Sequence, residues 1–279
     1  MGTLYVVATP IGNLEDMTLR AVRILREVKL IAAEDTRTTR KLLAHFDIHT
    51  PLTSYHEYTE PAKIGRLLDR LAEGDMALVS EAGMPGISDP GAPLIQAAIQ
   101  RGLPVVPVPG ASAILAALAV SGLSTESFLY LGFLPRRASD RRARLAQVAQ
   151  ATYTLVLFES PHRLRDTLAD LHTVLGERPV ALARELTKLH EEVWRGTLAA
   201  AIAHYAEVEP RGEFTLVVGG ATPVAAVWDE AAVRAALSEA LAQGQHGREA
   251  ARAVAAQAGW PSREVYEVLQ EMMGRDRKA

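Results

Sequence analysis

The sequence predicts an α/β protein: two α/β domains followed by a small C-terminal helical extension. Three observations predict it. Short apolar runs of strand length alternate with stretches of helical periodicity through the first half of the chain. Loops dense in glycine and proline follow several of those runs, at the strand ends where such sheets bind ligands. The chain after residue 228 carries helical patterns only. A length of 279 residues, 48% of them hydrophobic, is enough for two domains with sizeable cores.

The first half sets strands over 4–8, 30–33, 53–54, 76–80 and 105–108 against helices over 16–28, 38–46, 62–73, 92–101 and 111–120. The first helix takes Thr18, Leu19, Val22 and Leu25 as its apolar stripe. Strict alternation means a mostly parallel sheet with helices on both faces. Residues 121–125 form a hinge. Beyond it come strands over 128–131, 154–158, 179–184, 191–196 and 213–219 and helices over 141–150 and 163–175, a second unit with more antiparallel character. Gly219, Gly220 and Pro223 mark a linker. Three helices follow, over 229–242, 248–258 and 262–273, with the break Gly259-Trp260-Pro261-Ser262 joining a helix stop to an N-cap serine. The domains are therefore expected at 1–120, 121–222 and 223–279.

Composition excludes several functions. The formal net charge is −3, so any nucleic-acid contact must come from a local patch. The absence of cysteine removes thiol catalysis, disulfides and cysteine-based metal sites. The N-terminus reads as a first strand rather than a signal peptide, and no run reaches the ~18 apolar residues of a membrane span. A cytoplasmic protein is expected. No G-x-G-x-x-G or G-x-x-x-x-G-K-[ST] occurs, which argues against a dinucleotide site and a P-loop. The histidines are scattered without metal-ligand spacing, so no metal is expected.

The loop Ser80-Glu81-Ala82-Gly83-Met84-Pro85-Gly86-Ile87-Ser88-Asp89-Pro90-Gly91 packs three glycines and two prolines between a strand and a helix. Glycine lets a ligand approach the backbone closely and proline holds the rest of the loop. Val108-Pro109-Gly110-Ala111-Ser112-Ala113 is a second loop of this kind, and Thr9-Pro10-Ile11-Gly12-Asn13-Leu14-Glu15-Asp16 sits at the same sheet edge. Glu34-Asp35-Thr36-Arg37 either meets a ligand or caps the next helix, and Tyr55-His56-Glu57 is similarly ambiguous. Phe158-Glu159-Ser160-Pro161-His162-Arg163 and Arg184-Glu185-Leu186-Thr187-Lys188 end two strands and converge if those strands run parallel. Arg136, Arg137, Arg141, Arg142 and Arg144 crowd nine residues, an arginine patch suited to phosphate. Phe128, Tyr130 and Phe133 beside it serve as stacking faces or as core. The tail is a helix-turn-helix-like unit or a packing appendage; its nearly balanced charge favours the appendage.

These motifs, with Gly132-Phe133-Leu134-Pro135, resemble the family of small-subunit ribosomal RNA 2′-O-ribose methyltransferases I, in the tetrapyrrole methylase superfamily. The resemblance runs from the first strand to about Gly220, and the tail is similar to that family's C-terminal extension. Two positions depart from the pattern: Glu81 stands where Asp is usual and Met84 where Thr is usual. The resemblance implies two α/β domains of tetrapyrrole methylase type with S-adenosylmethionine in the cleft between them. It implies cofactor contacts from Pro10, Gly83, Met84, Ile87, Ser112 and Ala113, and from Phe158, Glu159 and Leu186. It also implies a homodimer that methylates a cytidine ribose in the decoding region of 16S rRNA, free or in the assembled subunit, with no membrane or DNA partner. Under that reading Glu159 or Glu185 is the base, Lys188 or Arg184 the electrostatic aid, and Asp35 and Arg37 position the substrate. Arg136, Arg137, Arg141, Arg142, His162, Arg163 and Arg184 meet RNA. Competing readings are a tetrapyrrole-precursor methyltransferase and a non-enzymatic rRNA-binding assembly factor.

Overall fold

In the computed structural model of the protein the described residues are 1–56, 59–222 and 228–276, without the side chains of 275 and 276. Glu57 and Pro223 lie outside them. The chain divides into two units, 1–221 and 222–279.

The first unit holds two five-stranded sheets. In the first, β1 (Leu4–Val7), β2 (Leu30–Ala33), β3 (Leu52–Ser54), β4 (Met76–Val79) and β5 (Val105–Val108) run parallel in the order β3-β2-β4-β1-β5. β2 and β4 are buried along their whole length, which explains their unbroken apolar runs. The helices are α1 (Leu19–Glu27), α2 (Thr36–His45), α3 (Pro61–Glu73), α4 (Ala92–Gln100) and α5 (Ala113–Val120). Thr18 is the N-cap of α1, its hydroxyl accepting from Ala21 N–H, and residues 14–16 form a separate 3₁₀ turn. The buried stripe is therefore Ala21, Ile24 and Leu25, while Leu19, expected in it, is 90% exposed. At about 3.6 residues per turn Leu19 stands on the opposite side of the helix from those three.

The second sheet is mixed, in the order β6-β7-β10-β8-β9. Its strands and helices follow as β6 (Phe128–Phe133), α6 (Ala138–Ala146), β7 (Thr154–Glu159), α7 (Leu164–Leu175), β8 (Pro179–Arg184), β9 (Glu192–Thr197), α8 (Leu198–Glu207) and β10 (Phe214–Val218). β10 is antiparallel to both β7 and β8, so those two run the same way and end at one edge. The sequence reading omitted α8. Its signal was present: Thr197 caps Ala200 N–H, and Leu198, Ala201 and Tyr205 are buried at helical spacing. Phe128 and Phe133 are 41% and 57% exposed and do not belong to the core.

α5 belongs in sequence to the first half, yet Ala117 and Leu118 pack on Val156, Ala181, Ala183 and Val217 of the second sheet. The helix is apolar on all sides, and Leu115 and Val120 on it stay exposed.

α6 starts earlier than expected and seats Arg141 inward. Arg141 Nε donates to Asp170 at 2.6 Å, and both residues are buried, at 4% and 7% exposure. The arginine ties α6 to α7 and is withdrawn from any surface patch.

The second unit contains α9 (Glu230–Ala242), α10 (Gly247–Ala258) and α11 (Ser262–Asp276) around Val233, Leu237, Val254, Val265 and Leu269. Asp229 caps α9, and the indole N–H of Trp260 donates to the Trp228 carbonyl at 2.7 Å.

Asp170→Ala leaves the Arg141 guanidinium buried without its closest carboxylate. It is expected to lower unfolding free energy by about 3–5 kcal/mol, whereas the double change Arg141→Met with Asp170→Leu costs far less. Urea denaturation reads both; a loss under about 1 kcal/mol for Asp170→Ala would contradict a sequestered pair.

Candidate functional site

β1 and β4 are neighbours whose following helices depart in opposite directions, α1 towards β2 and α4 towards β5. Such a switch point opens a crevice at the carboxyl ends of the strands. Two loops meet there. Thr9 and Gly83 exchange backbone hydrogen bonds of 2.9 and 3.0 Å, and the Thr9 hydroxyl donates to Ser80 O. The Gly-Pro loop folds back on itself so closely that a Cβ on Gly91 would stand 2.8 Å from Gly86 N. Gly86 has φ +84°, a conformation open to glycine, and Ser88 is held at φ +60°.

The edge of the second sheet faces this crevice across a close contact. A Cβ on Gly12 would lie 2.4 Å from Lys188 Cγ, and Asn13 N–H donates to Thr187 Oγ1 at 3.0 Å. The cavity has a volume of about 350 Å³, within the range of small-ligand pockets. Gly83, Met84 and Ile87 line it from the Gly-Pro loop, Ser112 and Ala113 from the start of α5, and Phe158 and Leu186 from the second sheet. Pro10 does not line it, but its neighbour Ile11 does. Ser112 is the N-cap of α5, accepting from Leu115 N–H at 3.4 Å.

The charged residues singled out from sequence divide by environment. Glu159 borders the cavity but is saturated. Oε1 accepts from Ser160 N–H at 2.8 Å, Oε2 from the Thr167 hydroxyl at 2.6 Å, and Arg163 stands 3.4 Å away. Its side chain is fully buried and braces the loop. Arg163 is directed inward as well, donating to the Leu134 and Pro135 carbonyls.

Glu185, at φ +50°, accepts from Lys188 Nζ and Glu213 N–H, each at 2.9 Å. Burial pushes its carboxyl up, but these hydrogen bonds and the Lys188 and Arg184 charges bring it below the usual value. Burial likewise pushes Lys188 down, and its bonds to Glu185 and Glu213 raise it overall. This pair stays ionised. Lys188 lines the cavity; Glu185 does not.

Asp35 caps α2. Oδ1 accepts from Arg37 N–H at 2.7 Å, and the exposed Arg37 guanidinium pairs with Oδ2 at 3.1 Å. The Arg37 side chain and backbone bonds lower its pKa. Neither residue lines the cavity. Arg184 is paired with Glu192 at 3.0 Å. Arg136, Arg137 and His162 are exposed, and Arg142 is half exposed, 3.6 Å from Asp170.

Asp89 escaped the sequence reading although its loop did not. It lines the cavity half-buried, with a carboxyl pushed up to about 6. Burial is the main cause, followed by the Glu34 charge; a hydrogen bond from Ser80 opposes them and the Glu81 charge adds to them. Beside it the Ser88 hydroxyl meets Tyr130 Oη at 2.6 Å, a bond from the Gly-Pro loop to β6 of the second sheet. Phe133 was also missed as a cavity residue. A bulge after Tyr130, where Gly132 has φ +66°, carries its ring to the cavity, 5.5 Å from the Phe158 ring.

Comparison with known proteins agrees with this architecture. The family model "Tetrapyrrole (Corrin/Porphyrin) Methylases" matches residues 3–202. A Halalkalibacterium halodurans protein named ribosomal RNA small subunit methyltransferase I is 49% identical over 275 residues, 97% of this chain and 95% of that one. A Synechocystis protein of the same name is also 49% identical, covering 98% of this chain and 99% of its own length. Among solved structures, uroporphyrin-III C-methyltransferase from Thermus thermophilus complexed with S-adenosylhomocysteine shares the fold. Its TM-score is 0.52 and its identity 23%, over 78% of this chain and 97% of that one. A fold of two α/β sheets, a cavity built from both, and near-full-length identity of this degree assign the chain to the ribosomal RNA small subunit methyltransferase I family of the tetrapyrrole methylases.

Proposed function

We propose that the protein transfers a methyl group from S-adenosylmethionine to the 2′-hydroxyl of a cytidine ribose in the decoding region of 16S rRNA. The observation that carries this reading is the cavity itself: the Gly-Pro loop and the α5 N-terminus meet the ends of β7 and β8 around one mostly apolar space. The relatives' printed name supports rRNA as the substrate class. The solved methyltransferase with S-adenosylhomocysteine supports the cofactor. We take residues 1–120 and 121–222 as the two lobes and 223–279 as the extension, in a cytoplasmic homodimer acting on free or assembled small-subunit RNA.

The fit of the cofactor rests on the cavity's chemistry. Gly83, Met84, Ile87, Ser112, Ala113, Phe158 and Leu186 would hold it, with backbone and apolar contacts in the majority. Met84 offers no hydroxyl, so its contribution is packing and backbone. Bound S-adenosylmethionine supplies a methyl on a sulfonium, already activated for displacement. The protein must exclude water, align the ribose hydroxyl and accept its proton.

Asp89 accepts that proton in this reading. Glu159 and Glu185 have their carboxylates engaged elsewhere, whereas a carboxyl of pKa about 6 on the cavity wall is suited to a neutral-pH base. Lys188 contributes a fixed positive charge to the cavity. Phe133 offers the target base a ring face, and Arg136 and Arg137, three and four residues on, hold its phosphates. Arg141 is excluded from that role by its burial against Asp170.

Labelled S-adenosylmethionine and small subunits lacking the modification should give 2′-O-methylcytidine on digestion and mass spectrometry. No transfer to subunits or to naked RNA would end the proposal.

Wild-type kcat should rise with pH through about 6. Asp89→Asn should lose that limb and about a hundredfold or more in kcat. The raised pKa means the folded state holds the proton more tightly than the unfolded. Its stabilisation is full below the unfolded value and is lost as pH rises through about 6. Asp89→Asn should therefore unfold later than wild type at pH 7.5, by about 1 kcal/mol after solvent screening, with the gap closing towards pH 4. An unchanged pH profile in the variant would remove Asp89 from the reaction.

Phe133→Ala should raise KM for the subunit about tenfold with cofactor affinity intact, as loss of one base–aromatic stack does. A parallel loss of cofactor affinity would assign the ring to the cofactor instead.

A further inference from the structure

The helical unit 222–279 carries charges that nearly balance in sequence, which favoured a mere packing role. Folding separates them. Arg234 draws in both Glu230 and Glu271, at 2.5 and 2.8 Å. On another face, α10 and α11 enclose an open groove of about 630 Å³ lined by Arg248, Arg252, Arg263, Ser262, Tyr266 and Glu249, with Ala251 at its base. Three arginines and one glutamate thus line it. Arg263 is tied to Glu267 at 3.0 Å, while Arg248 and Arg252 have no carboxylate partner among the described residues. Arg248 is held over the Tyr266 ring, 5.9 Å from its centroid. The arginine is therefore partly ordered before any ligand arrives, which reduces the entropy lost on binding.

We propose that this groove is a second RNA contact, binding the phosphate backbone of small-subunit RNA through residues that take no part in the methyl-transfer cavity. Guanidinium groups recognise phosphate through paired N–H donors, and a tyrosine wall gives an unpaired base a surface to stack on. The exposed arginines stand one turn apart on α10, the spacing at which neighbouring side chains meet one face. The inference rests on the rRNA reading and gives the extension a role in it.

The test uses the full chain with Arg248→Ala and Arg252→Ala together, and with Arg248→Lys and Arg252→Lys together. Affinity for naked small-subunit RNA, KM for subunits and their salt dependence are measured beside S-adenosylmethionine affinity and thermal unfolding. The alanine pair should weaken RNA binding about tenfold and reduce the log–log salt slope by about one to two, with kcat, cofactor affinity and unfolding unchanged. The lysine pair should keep most of the slope, since it keeps the charge, while losing part of the affinity. RNA affinity and salt slope that stay at wild-type values in the alanine pair overturn the proposal, even if dimerisation or protein binding changes. Failure of wild type to methylate any subunit would sink the rRNA methylation reading instead; the direct RNA measurement still decides the groove.

Discussion

The seating of α5 on the second sheet is the interaction on which the rest of the structure depends. All eight residues of this helix are apolar, and the second sheet covers one side of it while Leu115 and Val120 stay exposed. Ala117 and Leu118 close against Val156, Ala181, Ala183 and Val217, small residues that let helix and strand backbones approach. Its far end is held too, since Arg195 on β9 donates through Nε to the Val120 carbonyl at 3.1 Å and supplies the cation that a helix C-terminus favours. With its body and C-terminus fixed on one sheet and its N-terminus following β5 of the other, α5 joins the two sheets into one unit. Ser112, Ala113 and Ile114 are thereby presented to the cavity.

The smaller contacts between the sheets fall into place around that helix. Asn13 meets Thr187, Gly12 lies against Lys188, and Ser88 meets Tyr130. Each lies in a loop with unusual backbone: Thr187 and Ser88 have positive φ, and Gly12 admits no side chain without collision. Strain of this kind persists where surrounding structure over-determines it, and here it collects at the cavity.

Residues that look catalytic by type mostly maintain this frame. Glu159 joins β7 to α7 through Thr167 and orders the loop through Ser160. Arg141 and Asp170 join two helices, and Asp35 starts another. What remains in the cavity is a largely apolar wall with few polar groups, the arrangement expected where binding orients a ligand and a small number of groups act on it. Asp89 stands out because burial and the Glu34 and Glu81 charges all push its carboxyl up.

The sequence by itself determined the two α/β layers, the helical tail, the loops that build the cavity and the family. Alternation of strand and helix periods is local, and glycine and proline mark backbone needs that any reader of the chain can see. It misplaced Leu19, which stands on the opposite side of α1 from Ala21, Ile24 and Leu25, and it passed over α8 although Thr197 and the Leu198–Tyr205 spacing were there. Tertiary structure alone decided which charges are free. A carboxylate or guanidinium has the same letter whether it is saturated like Glu159, buried like Arg141, or desolvated like Asp89, because partners distant in sequence set its energy. It alone decided that Phe133 reaches the cavity, through a bulge that shifts one side chain, and that a charge-balanced tail gathers Arg248, Arg252 and Arg263 beside one groove. Charge, unlike periodicity, depends on distance in space, and the order of residues along the chain does not contain that distance.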